Sequence, residues 1–119
     1  PSAVATVYAA LEIIKSEPER REQLWKNARK MQEGLHSMGY DIGQSQTPVC
    51  PVIVGEDMDT FMFWKQLLDE GVFTNPIVSP GVPPGSARLR TSYMASHTDN
   101  QLNFVLEKFA QVGKALGII

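Results

Sequence analysis

Cysteine is almost absent from this chain. Cys50 is the only one in 119 residues, so no disulfide can form within it. That usage fits a reducing compartment. An excess of positive charge is also missing: 11 Lys and Arg stand against 13 Asp and Glu, a net charge of −2. The basic footprint of a nucleic-acid binder is therefore not expected. No apolar run approaches the roughly 20 residues of a membrane-spanning helix, and the first residues lack the basic start of a secretory signal. The expected location is cytoplasmic. A phosphate-cradling loop is lacking too, because GVPPG is followed by neither a lysine nor a helix start. Two distant histidines, His36 and His97, and one cysteine have no metal-ligand spacing.

What is present suits one domain of ordinary size. Hydrophobic residues make up 43% and charged residues 20%, enough apolar content for a core and too little charge for wholesale disorder. The chain begins at Pro1, without methionine, and runs at once into a helical pattern. The expectation is a piece of a longer protein, with a trimmed or processed small protein as the bland alternative.

Helical spacing of Val4, Val7, Tyr8, Leu11 and Ile14 predicts a first helix over 3–15. Ser16 with Glu19 has the form of a capping box, and Pro18 suits a first helical turn. Leu24, Ala28, Met31, Leu35 and Met38 continue as a second stripe, ended by Gly39. Arg20, Gln23, Lys26, Asn27, Lys30 and Glu33 form the expected solvated face. Residues 40–43 are a short strand candidate. Val49 to Val54 reads as a strand that Pro51 pushes to a sheet edge or a bulge. A third helix is expected over 57–70, with Phe61, Trp64 and Leu68 on its packed side and Gly71 as its stop. Residues 72–74 and 77–78 are extended pieces broken by Pro76. Ala87 to Met94 is the clearest strand. Thr98 with Gln101 caps a last helix whose stripe is Leu102, Val105, Leu106, Phe109, Val112 and Leu116.

The expected fold is α/β of the α+β type. It is a small, mostly antiparallel sheet of three or four strands, the last two joined by a loop too short for a parallel crossover, with helices packed mainly on one face.

One stretch carries more than packing. VSPGVPPGSARLR, from Val78 to Arg90, holds Pro80, Gly81, Pro83, Pro84 and Gly85 directly before two arginines. Alternation in a strand puts Leu89, Thr91 and Tyr93 on one face and Arg88, Arg90 and Ser92 on the other. Against bulk water such arginines are ordinary solvated charge. Under a cover they need anions, and guanidinium grips a carboxylate in bidentate fashion. A stiff loop loses little entropy on ordering and could wall such a site, although a plain tight connection explains it equally. His97, in ASHT before the helix cap, reads as a histidine that hydrogen-bonds near a helix start. Trp25 and Trp64 read as packing or interface residues. The six lysines (Lys15, Lys26, Lys30, Lys65, Lys108, Lys114) fall on expected helices, and none reads as a desolvated nucleophile. The residues alone yield a possible carboxylate-binding arginine and no reaction.

The run GVFTNPIVSPGVPPGSARLRTSYMASHT, 71–98, resembles the carboxy-terminal segment of the α-oxoamine synthases, pyridoxal-phosphate enzymes of aminotransferase fold type I. The shared features are Pro80-Gly81-Val82-Pro83, Gly85, Ala87-Arg88-Leu89-Arg90 and Ala95-Ser96-His97-Thr98. The opening helices and the closing KALGII are similar too, so the resemblance covers nearly the whole chain. It implies a small domain at the end of an enzyme that condenses an amino acid with an acyl-CoA, pyridoxal phosphate serving as electron sink. Residues 1–38 would be helices leading from a missing large domain, and 40–119 the sheet-and-helix body. Arg90 would bind the substrate carboxylate, Arg88 would be structural, and Ser79, Pro80, Gly81, Val82 and Pro83 would form a substrate loop. The family's cofactor lysine matches none of the lysines here, so this piece alone is expected to hold no cofactor and catalyse nothing. FTNPIVSP resembles 8-amino-7-oxononanoate synthase-like and serine palmitoyltransferase-like members. ARLRTSYMASHT makes glycine C-acetyltransferase (2-amino-3-ketobutyrate CoA ligase) the near alternative. A transaminase of the same fold or a non-catalytic binding module remains open. Homodimerisation of the whole enzyme and an exposed apolar patch on the isolated domain are further implications.

Overall fold

A computed structural model describes residues 1–119. Its elements run α1 (Ser2–Ser16), α2 (Glu19–Ser37), β1 (Val49–Gly55), α3 (Asp57–Asp69), β2 (Asn75–Ile77), β3 (Ala87–Ser92) and α4 (Asp99–Ala115). The three strands form one antiparallel sheet in the order β1-β3-β2. The expected architecture stands: a small antiparallel sheet whose helices cover one face.

The sheet is built around β3, whose Ala87, Leu89 and Thr91 are buried. Cys50 and Val52 of β1 share that face and complete its apolar floor. The helices lay their stripes on it: Met31 and Leu35 from α2, Phe63 and Leu67 from α3, Leu102, Phe109 and Val112 from α4. Three rings lock the centre. Phe63 and Phe109 meet edge to face at 5.5 Å, and Tyr40 lies 5.9 Å and 5.7 Å from them, spacings favourable for aromatic pairs. Tyr40 donates its hydroxyl hydrogen to the Phe109 carbonyl at 2.6 Å, so its polar end is satisfied inside the core. Gly113 leaves room for that ring: a Cβ there would stand 1.9 Å from the Tyr40 oxygen.

Pro51 does sit on an edge strand, and a register shift between Ile53 and Gly55 supplies the bulge. The Thr98–Gln101 capping box is formed in both directions. Several local expectations change. The Ser16–Glu19 box does not form. Ser16 instead donates to the Glu12 carbonyl, α1 runs through it, and Pro18 caps α2 without a side-chain bond. Residues 40–43 make a single bridge, Asp41 with Ile53, because the chain touches the β1 edge only once. α3 packs through Thr60, Phe63 and Leu67, while Phe61 and Leu68 face solvent. Its true stripe is rotated by about one residue from the expected one, and Trp64 is half-buried at the margin. Pro76 does not break β2 but sits in its middle, tolerated because β2 is an edge strand.

α1 stands apart. None of its residues is buried, and Val4, Val7, Tyr8, Leu11 and Ile14 are between 45% and 73% exposed. The radius of gyration is 16.2 Å, against about 13.5 Å for a compact domain of this length. The projecting helix accounts for the excess, and no helix is long and apolar enough to cross a membrane.

Candidate functional site

The sheet face turned away from the helices is the one bearing the arginines. Directly paired residues of neighbouring strands point to the same side. Arg90 is paired with Pro51 on β1 and Asn75 on β2; Arg88 is paired with Ile53 and Ile77; Ser92 is paired with Val49. No carboxylate stands among these neighbours, so the face carries two positive charges and no internal anion. Its side-chain polarity favours an arriving negative group.

The two arginines behave differently. Arg88 is half-buried between the isoleucines and donates its Nε–H to the Ser86 carbonyl at 3.0 Å. Arg90 is exposed, and its guanidinium makes no hydrogen bond or ion pair within the chain. Pro51 and Asn75 flank it and leave its planar fork free. A free guanidinium with fixed backbone on both sides suits two parallel bonds to a carboxylate.

The proline loop connects β2 to β3 at the Arg88 end of this face. Gly81 donates its N–H to the Val78 carbonyl at 2.8 Å, and Ser86 donates to Pro83 at 3.0 Å. Ser79 donates its N–H to Asp57 Oδ1 at 3.4 Å, which ties the loop to the start of α3. Pro80, Gly81 and Pro83 are exposed, and Ser79 and Val82 are half-buried. The structure thus brings the loop and Arg88 together, with Arg90 two residues further in.

His97 does what its position suggests. Its Nδ1 accepts the Met94 N–H at 3.0 Å, which closes the turn before α4. Sequence reasoning missed its neighbour. Asn27, expected on the solvated face of α2, is 1% exposed. Its Nδ2 donates to the carbonyls of Met94 (2.9 Å) and His97 (3.1 Å), and its Oδ1 accepts from Gln23 at 2.9 Å. Every polar atom of the amide is thereby used, which is what lets it be buried. The only available signal was its place beside Ala28 and Met31 in the stripe.

The remaining titratable groups in the core are inert. Burial pushes the Cys50 thiol up to about 11. Burial also raises the Tyr40 and Tyr93 phenols, with the Thr91 hydrogen bond opposing this at Tyr93. After the two arginines, Ser92 is the third polar β3 side chain on the open face, and a guanidinium there has the chemistry to bind and orient an anion.

Residues 1–109 match the family model described as aminotransferase class I and II. The chain belongs to this family. Curated relatives match along its full length. An 8-amino-7-oxononanoate synthase of Symbiobacterium thermophilum is 44% identical over all 119 residues. A Thermus thermophilus protein named 8-amino-7-oxononanoate synthase/2-amino-3-ketobutyrate coenzyme A ligase is 46% identical. Each match takes in 100% of this chain and 30% of the relative, so the chain spans about a third of their length. Among solved structures, the serine palmitoyltransferase of Sphingomonas wittichii superposes with a TM-score of 0.94 at 34% identity, over 100% of this chain and 30% of that one. A serine palmitoyltransferase from S. paucimobilis with a bound PLP–myriocin aldimine gives 0.93 at 36%, with the same coverage. The fold is therefore that of the small domain of such aminotransferase-type enzymes.

Proposed function

We propose that these 119 residues are the carboxy-terminal domain of a pyridoxal-phosphate-dependent enzyme that joins an amino acid to an acyl-CoA. In this reading Arg90 receives the amino acid's carboxylate, and Ser79, Pro80, Gly81, Val82 and Pro83 form a loop bordering the substrate. Residues 1–38 lead in from the rest of the enzyme, and 40–119 form the body. The observation that carries the reading is Arg90 itself: an unpartnered guanidinium on a sheet face with no carboxylate, in a chain matching 8-amino-7-oxononanoate synthases and serine palmitoyltransferases over its length.

The residues present do not fit a pyridoxal-phosphate site on their own. Lys15, Lys30, Lys65 and Lys108 pair with Glu12, Asp99, Asp69 and Glu70. Lys26 and Lys114 lie exposed on α2 and α4. None shares the open face with Arg90. The group that would hold the cofactor lies outside these residues, and so does the wall opposite Arg90 that would make its face a cleft. The naked stripe on α1 supports such a neighbour, since an apolar helix face of this size favours burial. Assembly of the whole enzyme as a homodimer belongs to the same proposal.

The dual name of the Thermus thermophilus relative favours a second reading, in which the acyl group is short and the amino acid is glycine. Both readings use the same arginine. The test is made on the full-length enzyme, with coenzyme A release measured against amino acid and acyl-CoA concentration. Arg90→Ala is expected to raise the amino-acid KM about 10- to 100-fold, the loss of a charge-assisted pair, while the acyl-CoA KM stays within a factor of two or so. An unchanged amino-acid KM would remove Arg90 from the site. Keto-acid formation without coenzyme A release would mark a transaminase instead.

A further inference from the structure

The chain joins its folded body part-way along α2. None of residues 1–26 is buried, and Asn27 and Ala28 are the first that are. Ala28, Met31 and Leu35 are fully buried and seat the helix by apolar contact, which is non-directional. Asn27 adds direction: its Nδ2 donates to the carbonyls of Met94 and His97. A second tie at this joint, Lys30 with Asp99 at 3.2 Å, is exposed, and such pairs contribute little.

What Asn27 holds is the far end of the strand that carries Arg90. On one side of β3, Asn75 with Arg90 is the last pair made with β2. On the other, β1 still pairs with Thr91 and Ser92, and Tyr93 donates its N–H to the Pro48 carbonyl at 3.1 Å. Met94 lies beyond both partners. There the chain turns: His97 donates its N–H to the Met94 carbonyl at 3.2 Å, and its Nδ1 accepts the Met94 N–H. Asn27 fastens both ends of that turn to α2. One amide thereby ties the incoming arm to the end of the Arg90 strand.

We propose that Asn27 is a positioning residue for the amino acid's carboxylate: it holds β3, and with it Arg90, at a fixed angle to the arm that leads in from the rest of the enzyme. The role rests on the reading in which Arg90 receives that carboxylate. There the remainder of the substrate is held by groups outside these residues, so this joint sets their separation from Arg90. A bidentate pair demands a fixed geometry, and a misplacement of about 1 Å caused far from the chemistry is enough to be felt in the reaction.

The test uses the full-length enzyme and measures coenzyme A release while amino acid and acyl-CoA are varied in turn. Asn27→Ala should raise the amino-acid KM about three- to tenfold and leave the acyl-CoA KM within about twofold. Mere loss of folded enzyme lowers the apparent kcat and moves neither KM. In the Arg90→Ala background the same substitution should raise the amino-acid KM by no more than about twofold, because the pair it aligns is already gone. Asn27→Asp keeps the size and the acceptor for Gln23 but loses the donor, and it carries the same comparison where the alanine variant does not fold. Folded Asn27 variants with an unchanged amino-acid KM would overturn the proposal. So would an equal rise in the acyl-CoA KM, or the same rise with and without Arg90. These three results leave the role of Arg90 standing, whereas an unchanged KM in Arg90→Ala itself removes both roles together.

Discussion

Helices α1 and α4 look alike on paper and end up in opposite situations. Each carries an apolar residue every three or four positions. α4 buries Leu102, Phe109, Val112 and Gly113, whereas α1 buries nothing. The difference lies outside either stripe. α4 is capped by Thr98 and Gln101, follows β3 after a short turn, and falls back on the sheet. α1 precedes α2 across the Glu17–Pro18 elbow and finds no surface of this chain to cover. A helical apolar period therefore does not by itself say that its face is covered within the same 119 residues.

The sharpest way to break this comparison is to cut each stripe at its middle. Phe109→Ala on α4 removes a fully buried ring that touches both Tyr40 and Phe63, and should cost about 3–5 kcal/mol. Leu11→Ser on α1 should change the stability of the 119-residue chain by no more than about 0.5 kcal/mol, while reducing any association driven by the exposed face. Urea unfolding of both variants reads the contrast. Comparable losses would mean that α1 is seated after all.

Gly113→Ala gives a smaller and more specific contrast. Gly to Ala in a helix interior ordinarily gains about 0.5–1 kcal/mol. Here the added methyl would sit 1.9 Å from the Tyr40 oxygen and 3.1 Å from an Ile119 carbon. The ring must move and its bond to Phe109 must stretch. The expected result is a destabilisation of about 1–3 kcal/mol, the reverse of the propensity rule. A thermal melt of Gly113→Ala against wild type decides the sign.

Much of this was readable in advance where one local rule acted alone. The strand from Ala87, its two faces, the Thr98 capping box and the edge position of Pro51 each follow from alternation, cap chemistry or the missing proline N–H. What escaped depended on distant partners. Asn27 looks solvated until the carbonyls of Met94 and His97 arrive beside it. The α3 stripe was displaced because Phe61 and Phe63 are equally apolar, and only the floor formed by β3 chooses between them. Ser16 and Glu19 have cap spacing, but α1 continues through the serine. For the candidate site, alternation assigned the face of Arg90, while its neighbours Pro51 and Asn75 required the strand register.

The seated half of the molecule should also betray itself through pH. Cys50 lies under the helices at 0% exposure, and its thiol is pushed from an ordinary value of 9.0 up to about 11 by burial. The raised value means that the folded state holds its proton after the unfolded chain has begun to lose one. Stability is therefore fully present below pH 9 and declines as pH rises from there towards 11. Tyr40 and Tyr93, raised in the same direction by burial, extend the decline at higher pH. Urea midpoints should stay level with respect to these groups between pH 7 and 9 and fall above it. Cys50→Ala should start from a lower midpoint, since a packed sulfur is lost, and fall less steeply between pH 9 and 11. An equal slope in the variant would show that the thiol is not shielded as its burial requires, and would weaken the distinction between a closed sheet face below the helices and the open one that carries Arg90.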